Sequence, residues 1–246
     1  MGESTPLAFP PTHRSVVLAV RSADPEERAR ALDTLVRAYW RPVFRYLRAK
    51  WRADEARAED LAQGFFAAAL EKGWLGRFEP EKGRFRTFLL SCLDAYAANE
   101  VRAARRLKRG GGTTTVPLEV EDEDGNPREL PLADPADLEA GFQREWARSL
   151  FSLAVDALRE RCRGTSKEVA FALFERYDLE GAMAPERPSY GTLAAEHAIP
   201  LTQVTNHLHW ARKEFRATVL DTLREITASE AEFRAEARSL LGVEPE

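Results

Sequence analysis

Between Tyr190 and Arg216 the chain reads YGTLAAEHAIPLTQVTNHLHWARKEFR, and its apolar residues fall where two short helices joined by a tight turn would bury them. Leu193, Ala194 and Ile199 can pack against Val204, Leu208 and Ala211, because residues three and four apart share one helical face. Gln203, Asn206, His207 and Trp210 then form an outward stripe at i, i+3, i+4 and i+7. That spacing predicts a helix-turn-helix with a polar reading face.

The remainder is also written in helical period. Ala, Leu, Arg and Glu dominate and β-branched alternation is scarce, so the expected fold class is all-α. A helix is predicted over Glu26–Tyr39, with Asp24-Pro25 as N-cap and first-turn proline and with Ala31, Leu32, Leu35 and Tyr39 on one face. Pro42 is expected to start a new helix carrying Val43, Tyr46 and Leu47, followed by a third over Ala58–Leu70 with Leu61, Phe65 and Ala69 inward. A fourth begins near Arg84, burying Phe85, Phe88, Leu89, Cys92 and Tyr96. Its other side carries Ser91, Ala95, Asn99, Arg102 and Arg106 before Gly110-Gly111-Gly112 ends it. After an aperiodic stretch, Trp146, Leu150, Leu153, Ala154 and Leu158 restore the period to about Arg161, and Val169, Leu173 and Phe174 suggest another helix. A last amphipathic segment places Phe233, Ala237, Leu240 and Leu241 on one side and is expected to fold back onto its own domain.

Charge is segregated along the 246 residues. The net charge of −4 conceals 21 Lys/Arg against 14 Asp/Glu in residues 1–112, 2 against 10 in 113–145, and 13 against 16 in 146–246. A phosphate backbone would be attracted by the first block and repelled by the second. Residues 113–140 contain VEDEDGN and almost no periodic apolar pattern, so they read as an acidic flexible linker. The expected organisation is a helical domain over 12–112, the linker over 113–140, a helix-turn-helix domain over 141–227 and a helical extension over 228–246.

Other classes are disfavoured. Cys92 and Cys162 are far apart in sequence with no partner at metal spacing, and Cys92 falls on an apolar face where a buried small hydrophobe fits. The four His residues have no carboxylate or Cys at metal spacing, no Gly-rich loop follows a strand, and no nucleophile-base set can be assembled. No bond chemistry, metal or cofactor is therefore expected. No apolar run approaches the roughly 20 residues needed to span a bilayer, and the start MGESTPLAFPP lacks a signal pattern, so a soluble cytoplasmic chain without membrane insertion is the expectation.

In their order and spacing YWRPVFRYLR, EDLAQGFF (Glu59–Phe66), GRFRTFLL (Gly83–Leu90), ANE, KRGGG and Tyr190–Arg216 together resemble the sigma-70 family of RNA polymerase initiation factors, in particular the small two-domain extracytoplasmic-function (ECF) type. EDLAQGFF is similar to the region 2.2 helix, GRFRTFLL to the start of region 2.3/2.4, and Tyr190–Arg216 to region 4. The resemblance implies that Glu59, Asp60 and Gln63 meet the clamp helices of the largest subunit of core RNA polymerase, their acid and amide acceptors suiting a basic surface. It implies that the helix from Arg84 binds the melted strand of the minus-ten element, with Arg84, Arg86, Asn99, Arg102, Arg105 and Arg106 supplying polar and cationic contacts. Region 4 is implied to place Gln203, Thr205, Asn206, His207 and Trp210 at the minus-thirty-five element, with Arg212, Lys213 and Arg216 on phosphates.

The sequence departs from the family at several positions. Ala95 stands where many ECF factors have asparagine, Ala198 replaces the usual turn glycine, and Pro200 the usual capping serine. In the family the acidic linker threads the polymerase's active-site and RNA-exit channel, and an anti-sigma factor or another regulator is a further implied partner. The reading is a sigma factor that binds core polymerase and promoter DNA and supports open-complex formation. The rival is a stand-alone helix-turn-helix regulator that binds duplex DNA without polymerase.

Overall fold

The computed structural model describes residues 15–110, 120–121, 127–128 and 134–242. It contains ten α-helices among those residues, and the only strands there are two-residue segments, β1 (Val120–Glu121) and β2 (Pro127–Arg128), paired antiparallel. The fold is all-α. None of the described helices is long and apolar enough to cross a membrane. The chain divides into two compact units: the amino-terminal one runs to Ser149 and also takes in Thr227–Ser229, and the carboxy-terminal one holds Leu150–Ile226 and the residues from Glu230 onward.

In the amino-terminal unit a short α1 (Val16–Ala19) precedes α2 (Pro25–Trp51), which is capped as expected: Asp24 accepts from the Glu26 amide and Pro25 occupies the first turn. The structure corrects the expected break at Pro42, which lies inside one continuous helix. An internal proline costs about 3 kcal/mol. Burying each large apolar side chain contributes about 1.5–3 kcal/mol, and the stripe Leu35, Tyr39, Val43, Leu47 is buried on both sides of Pro42. Straightness of that stripe therefore outweighs the lost bond. Arg52, with a left-handed φ of 49°, ends α2, and Asp54 caps α3 (Glu55–Glu71) by accepting from the Arg57 amide. Leu61, Phe65 and Ala69 face inward, as the period predicts.

Two 3-10 turns, Leu75–Arg77 and Pro80–Lys82, lead to α4 (Phe85–Gly110). Its deepest stripe is Phe85, Leu89, Leu93, Ala97, all at most 1% exposed. Phe88, Cys92 and Tyr96, expected on the buried side, are only half-buried, so the helix is rotated relative to the expectation. Cys162, not Cys92, is the fully buried thiol, and both are free.

The next helix, α5 (Pro135–Cys162), starts inside the segment expected to be linker. The rest of the acidic stretch, apart from β1, β2 and Asp134, lies outside the described residues, as does the Gly111-Gly112 stop. The residues of α5 divide between the units, and the break falls at Ser149–Leu150 rather than at 140–141. The cause is Phe142 and Trp146, buried in the amino-terminal unit: Phe142 stacks on Tyr39 at 6.4 Å and meets Tyr46 edge-on at 6.0 Å.

The carboxy-terminal unit is built on Leu158, Cys162, Phe171, Leu173, Phe174, Leu193, Val204, Leu208 and Ala211. It comprises the second half of α5, α6 (Glu168–Phe174), a π turn (Glu175–Glu180), a one-turn α7 (Gly181–Met183), α8 (Tyr190–Glu196), α9 (Leu201–Ile226) and α10 (Glu230–Leu241). Val169, expected inward, is 38% exposed. α10 does fold back: Phe233 and Ala237 are buried and the Arg224 guanidinium lies 3.9 Å from the Phe233 ring centre.

Candidate nucleic-acid interface

α4 presents its polar side because its apolar side recurs every fourth residue and is held by α2 and α3. Ser91, Ala95, Asn99, Arg102 and Arg106 are exposed along one edge, and Arg84 is exposed just before the helix. The Arg102 guanidinium donates to the Asn99 side-chain oxygen at 3.1 Å, so that bond uses the oxygen of the Asn99 amide and not its NH2. The side chain of Arg105 lies outside the described residues. Arg86 does not join this edge. It is 7% exposed, its guanidinium 4.8 Å from the Trp146 ring centre, because position 86 points to the side of α4 that α5 covers. As a phosphate contact Arg86 is therefore a correction, and its role in this structure is to cap the Trp146 ring.

Tyr96 of α4 belongs to a set of aromatic side chains that the helical period does not bring together. Tyr96 and Trp74 are half-buried with ring centres 6.0 Å apart, both rest on Phe65, and the Lys72 ammonium is 5.4 Å from the Trp74 ring. Burial raises the Tyr96 phenol, the Glu100 carboxylate adds to that, and Arg57 opposes it. Gly64 makes the arrangement possible, since a Cβ there would collide with the Tyr96 hydroxyl. Trp74 was missed because it sits in a turn, where no periodicity marks it. Flat rings beside cations are what a splayed base needs for stacking.

On α3, Glu59, Asp60 and Gln63 are all exposed while Leu61, Phe65 and Phe66 are buried behind them. The acid-amide stripe is thus formed as expected, on a helix anchored by its opposite face.

In the other unit, the Ser189 side chain caps α8 by accepting from the Thr192 amide at 3.0 Å. The turn to α9 passes through Ala198 at φ 50°, a left-handed conformation that glycine adopts without strain. Leu193, Val204, Leu208 and Ala211 are buried and Ala194 and Ile199 pack on them, so the apolar packing expected between these two helices is formed. Gln203, Thr205, Asn206, Lys213 and Arg216 are exposed, and His207 is half-buried. His209 is exposed. Two expected contact residues are engaged within the fold. Trp210 packs against the core under the Lys167 ammonium, 4.8 Å from its ring centre. Arg212 forms a two-pronged ion pair with Asp178, Nε to Oδ2 at 2.8 Å and Nη2 to Oδ1 at 3.0 Å, and lies over Tyr177. Those bonds push the Arg212 guanidinium pKa further up. The π turn supplies both partners, Tyr177 and Asp178.

Residues 35–107 match the family model of sigma-70 region 2. No curated protein matches the chain. The region 2 match runs from the middle of α2 through α3 and most of α4, so it takes in Glu59, Asp60, Gln63, the Trp74–Tyr96 shelf, Asn99 and Arg102. It stops short of α5 and the carboxy-terminal unit, and covers less than half of the chain. It supports a sigma-70 type role in transcription initiation, with core RNA polymerase and promoter DNA as partners.

Proposed function

We infer that the chain is an RNA polymerase sigma factor of the ECF type. The observation that carries this reading is that the region 2 match coincides with a helix pair exposing an acidic ridge on α3 and a cationic, amide-bearing edge on α4. Glu59, Asp60 and Gln63 dock on the basic clamp helices of core polymerase. Asn99, Arg102 and Arg106, with Arg84, hold the phosphates and bases of the melted minus-ten strand, and Trp74 with Tyr96 offers stacking surface. In the second unit Gln203, Thr205 and Asn206 read the minus-thirty-five element in the major groove, with His207 at the edge of that face and Lys213 and Arg216 on phosphates. Arg212, exposed and paired with Asp178, adds a cation beside that face, and the half-buried Trp210 supports it from the core side. No bond chemistry is assigned to the chain; catalysis belongs to the polymerase, and an anti-sigma factor is a further partner in this reading.

A run-off assay with core polymerase and promoters selected from a genomic library tests it. Defined transcripts that require both the chain and core enzyme are the expected result. Tight, sequence-specific duplex binding without polymerase, and no transcript with it, would establish the stand-alone regulator instead.

A further inference from the structure

The second half of α2 carries Arg41, Arg45 and Arg48 at i, i+4 and i+7, a cation on each turn of one helical stripe, and Arg52 follows as the residue that ends the helix. The first half of α5 lies alongside, held by Phe142 and Trp146. Between them is an open cleft of about 650 Å³ whose walls include Arg45, Arg48, Arg52 and Arg144. Its lining carboxylates are Asp137 and Glu145. Glu145 is already engaged, pairing with Arg41 at 2.8 Å and Arg148 at 2.6 Å, neither of which lines the cleft. Leaving Arg52 aside, three guanidiniums, those of Arg45, Arg48 and Arg144, therefore stand against one carboxylate, Asp137, that has no ion pair among the described residues. Cations in the last turn of a helix also complement its dipole, which accounts for Arg48. It does not account for Arg45 in the preceding turn or for Arg144 on a different helix.

We propose that this cleft is a second nucleic-acid contact, which takes the phosphodiester backbone of a DNA strand apart from the α4 edge. Guanidinium forks match phosphate oxygens in pairs. Ala49 and Gly141 on the cleft wall leave room for a sugar-phosphate chain to come close. An acidic protein surface is the poorer fit. Protein hot spots centre on a buried aromatic or aliphatic anchor; here the aromatics Tyr46 and Phe142 are spent in the core at 7% and 3% exposure, which leaves the half-buried Leu138 as the one large apolar side chain against a mostly cationic lining. The cleft adds a backbone contact to the promoter-binding reading above and rests on it for its biological setting, but its chemistry is sequence-independent and can be measured without polymerase.

The test uses the full chain and a fluorescent single-stranded oligonucleotide of mixed sequence, with anisotropy followed from 50 to 200 mM salt. Two variants are compared with wild type: Arg45→Gln/Arg48→Gln/Arg144→Gln, and Asp137→Asn. Losing three phosphate contacts should lower the slope of log affinity on log salt by about 2, so that wild type loses about twentyfold more affinity than the triple variant over that range. Asp137→Asn should tighten binding. No measurable binding by wild type at 50 mM, an unchanged slope in the triple variant, or weaker binding by Asp137→Asn overturns the proposal. Unchanged DNA binding with lost polymerase assembly would also overturn it, assigning the cleft to a protein. A failed run-off assay beside a changed salt slope would sink the sigma reading and leave the cleft standing.

Discussion

Ala198 holds the helix-turn-helix turn at a φ of 50°, where its Cβ crowds the backbone, while the Ala198 and Ile199 amides still reach the Ala195 and Ala194 carbonyls at 3.3 and 3.0 Å. A left-handed non-glycine residue costs about 1–2 kcal/mol, and glycine returns part of that through its freer unfolded state. Ala198→Gly should stabilise the carboxy-terminal unit by about 0.5–1 kcal/mol, read as a higher urea midpoint with an unchanged slope; a lower midpoint would show that the turn is unstrained. A second local device is the Tyr46–Lys50–Asp94 cluster, with the Lys50 ammonium 2.6 Å from Asp94 and 3.1 Å from the Tyr46 hydroxyl. Burial pushes the Tyr46 phenol above its ordinary 10.0. Burial by itself would lower Lys50, but the bonds to Asp94 and Tyr46 hold it above 10.5. Both groups have raised folded values, so their contribution is fully present below about pH 10 and is lost as pH rises through the folded values. Thermal stability should hold level from pH 7 to 9 and fall above about 10, and Asp94→Asn should flatten that fall. Because Lys50 is about a third exposed, the same change should cost under about 1 kcal/mol at neutral pH.

Among the elements, α2 and α5 depart most from what their local sequence dictates. Pro42 reads locally as a helix start, and only the buried stripe on both sides of it explains why the helix continues. α5 reads as part of the second domain because Trp146, Leu150, Ala154 and Leu158 form one unbroken stripe. Nothing local in that stripe announces that its first members are buried against α2 and α4 and its last against α6 and α9. Consequently the region 2 match, ending at residue 107, does not include all of the side chains that close the amino-terminal core. Trp146→Ala should cost about 3–5 kcal/mol, the usual penalty for emptying a buried Trp site. It should also free the Arg86 guanidinium from its ring. A denaturation midpoint within error of wild type would show that the first half of α5 is dispensable to that unit.

At the scale of the whole molecule the two candidate interfaces make separable demands. Glu59→Lys/Asp60→Lys reverses the exposed ridge of α3 without touching a buried residue, and should weaken assembly with core polymerase at least tenfold while leaving the melting temperature within about 2 °C. Asn206→Ala should leave assembly intact and lower discrimination among minus-thirty-five sequences by about 1–3 kcal/mol, measured as relative promoter output. Equal effects of both variants on assembly would mean that the roles are not divided as proposed. Much of this was legible in the amino-acid order alone: the all-helical class, the buried stripes of α2, α3 and α9, the cap at Asp24, and the exposed residues of α3 and of α9, since these follow from periodicity and local backbone bonding. Tertiary structure alone decided which partner each stripe meets. It buried Arg86 under Trp146, paired the exposed Arg212 with Asp178, packed Trp210 against the core, joined Trp74 to Tyr96, and set the boundary inside α5, because a side chain's neighbours across a core depend on how helices distant in sequence come to pack.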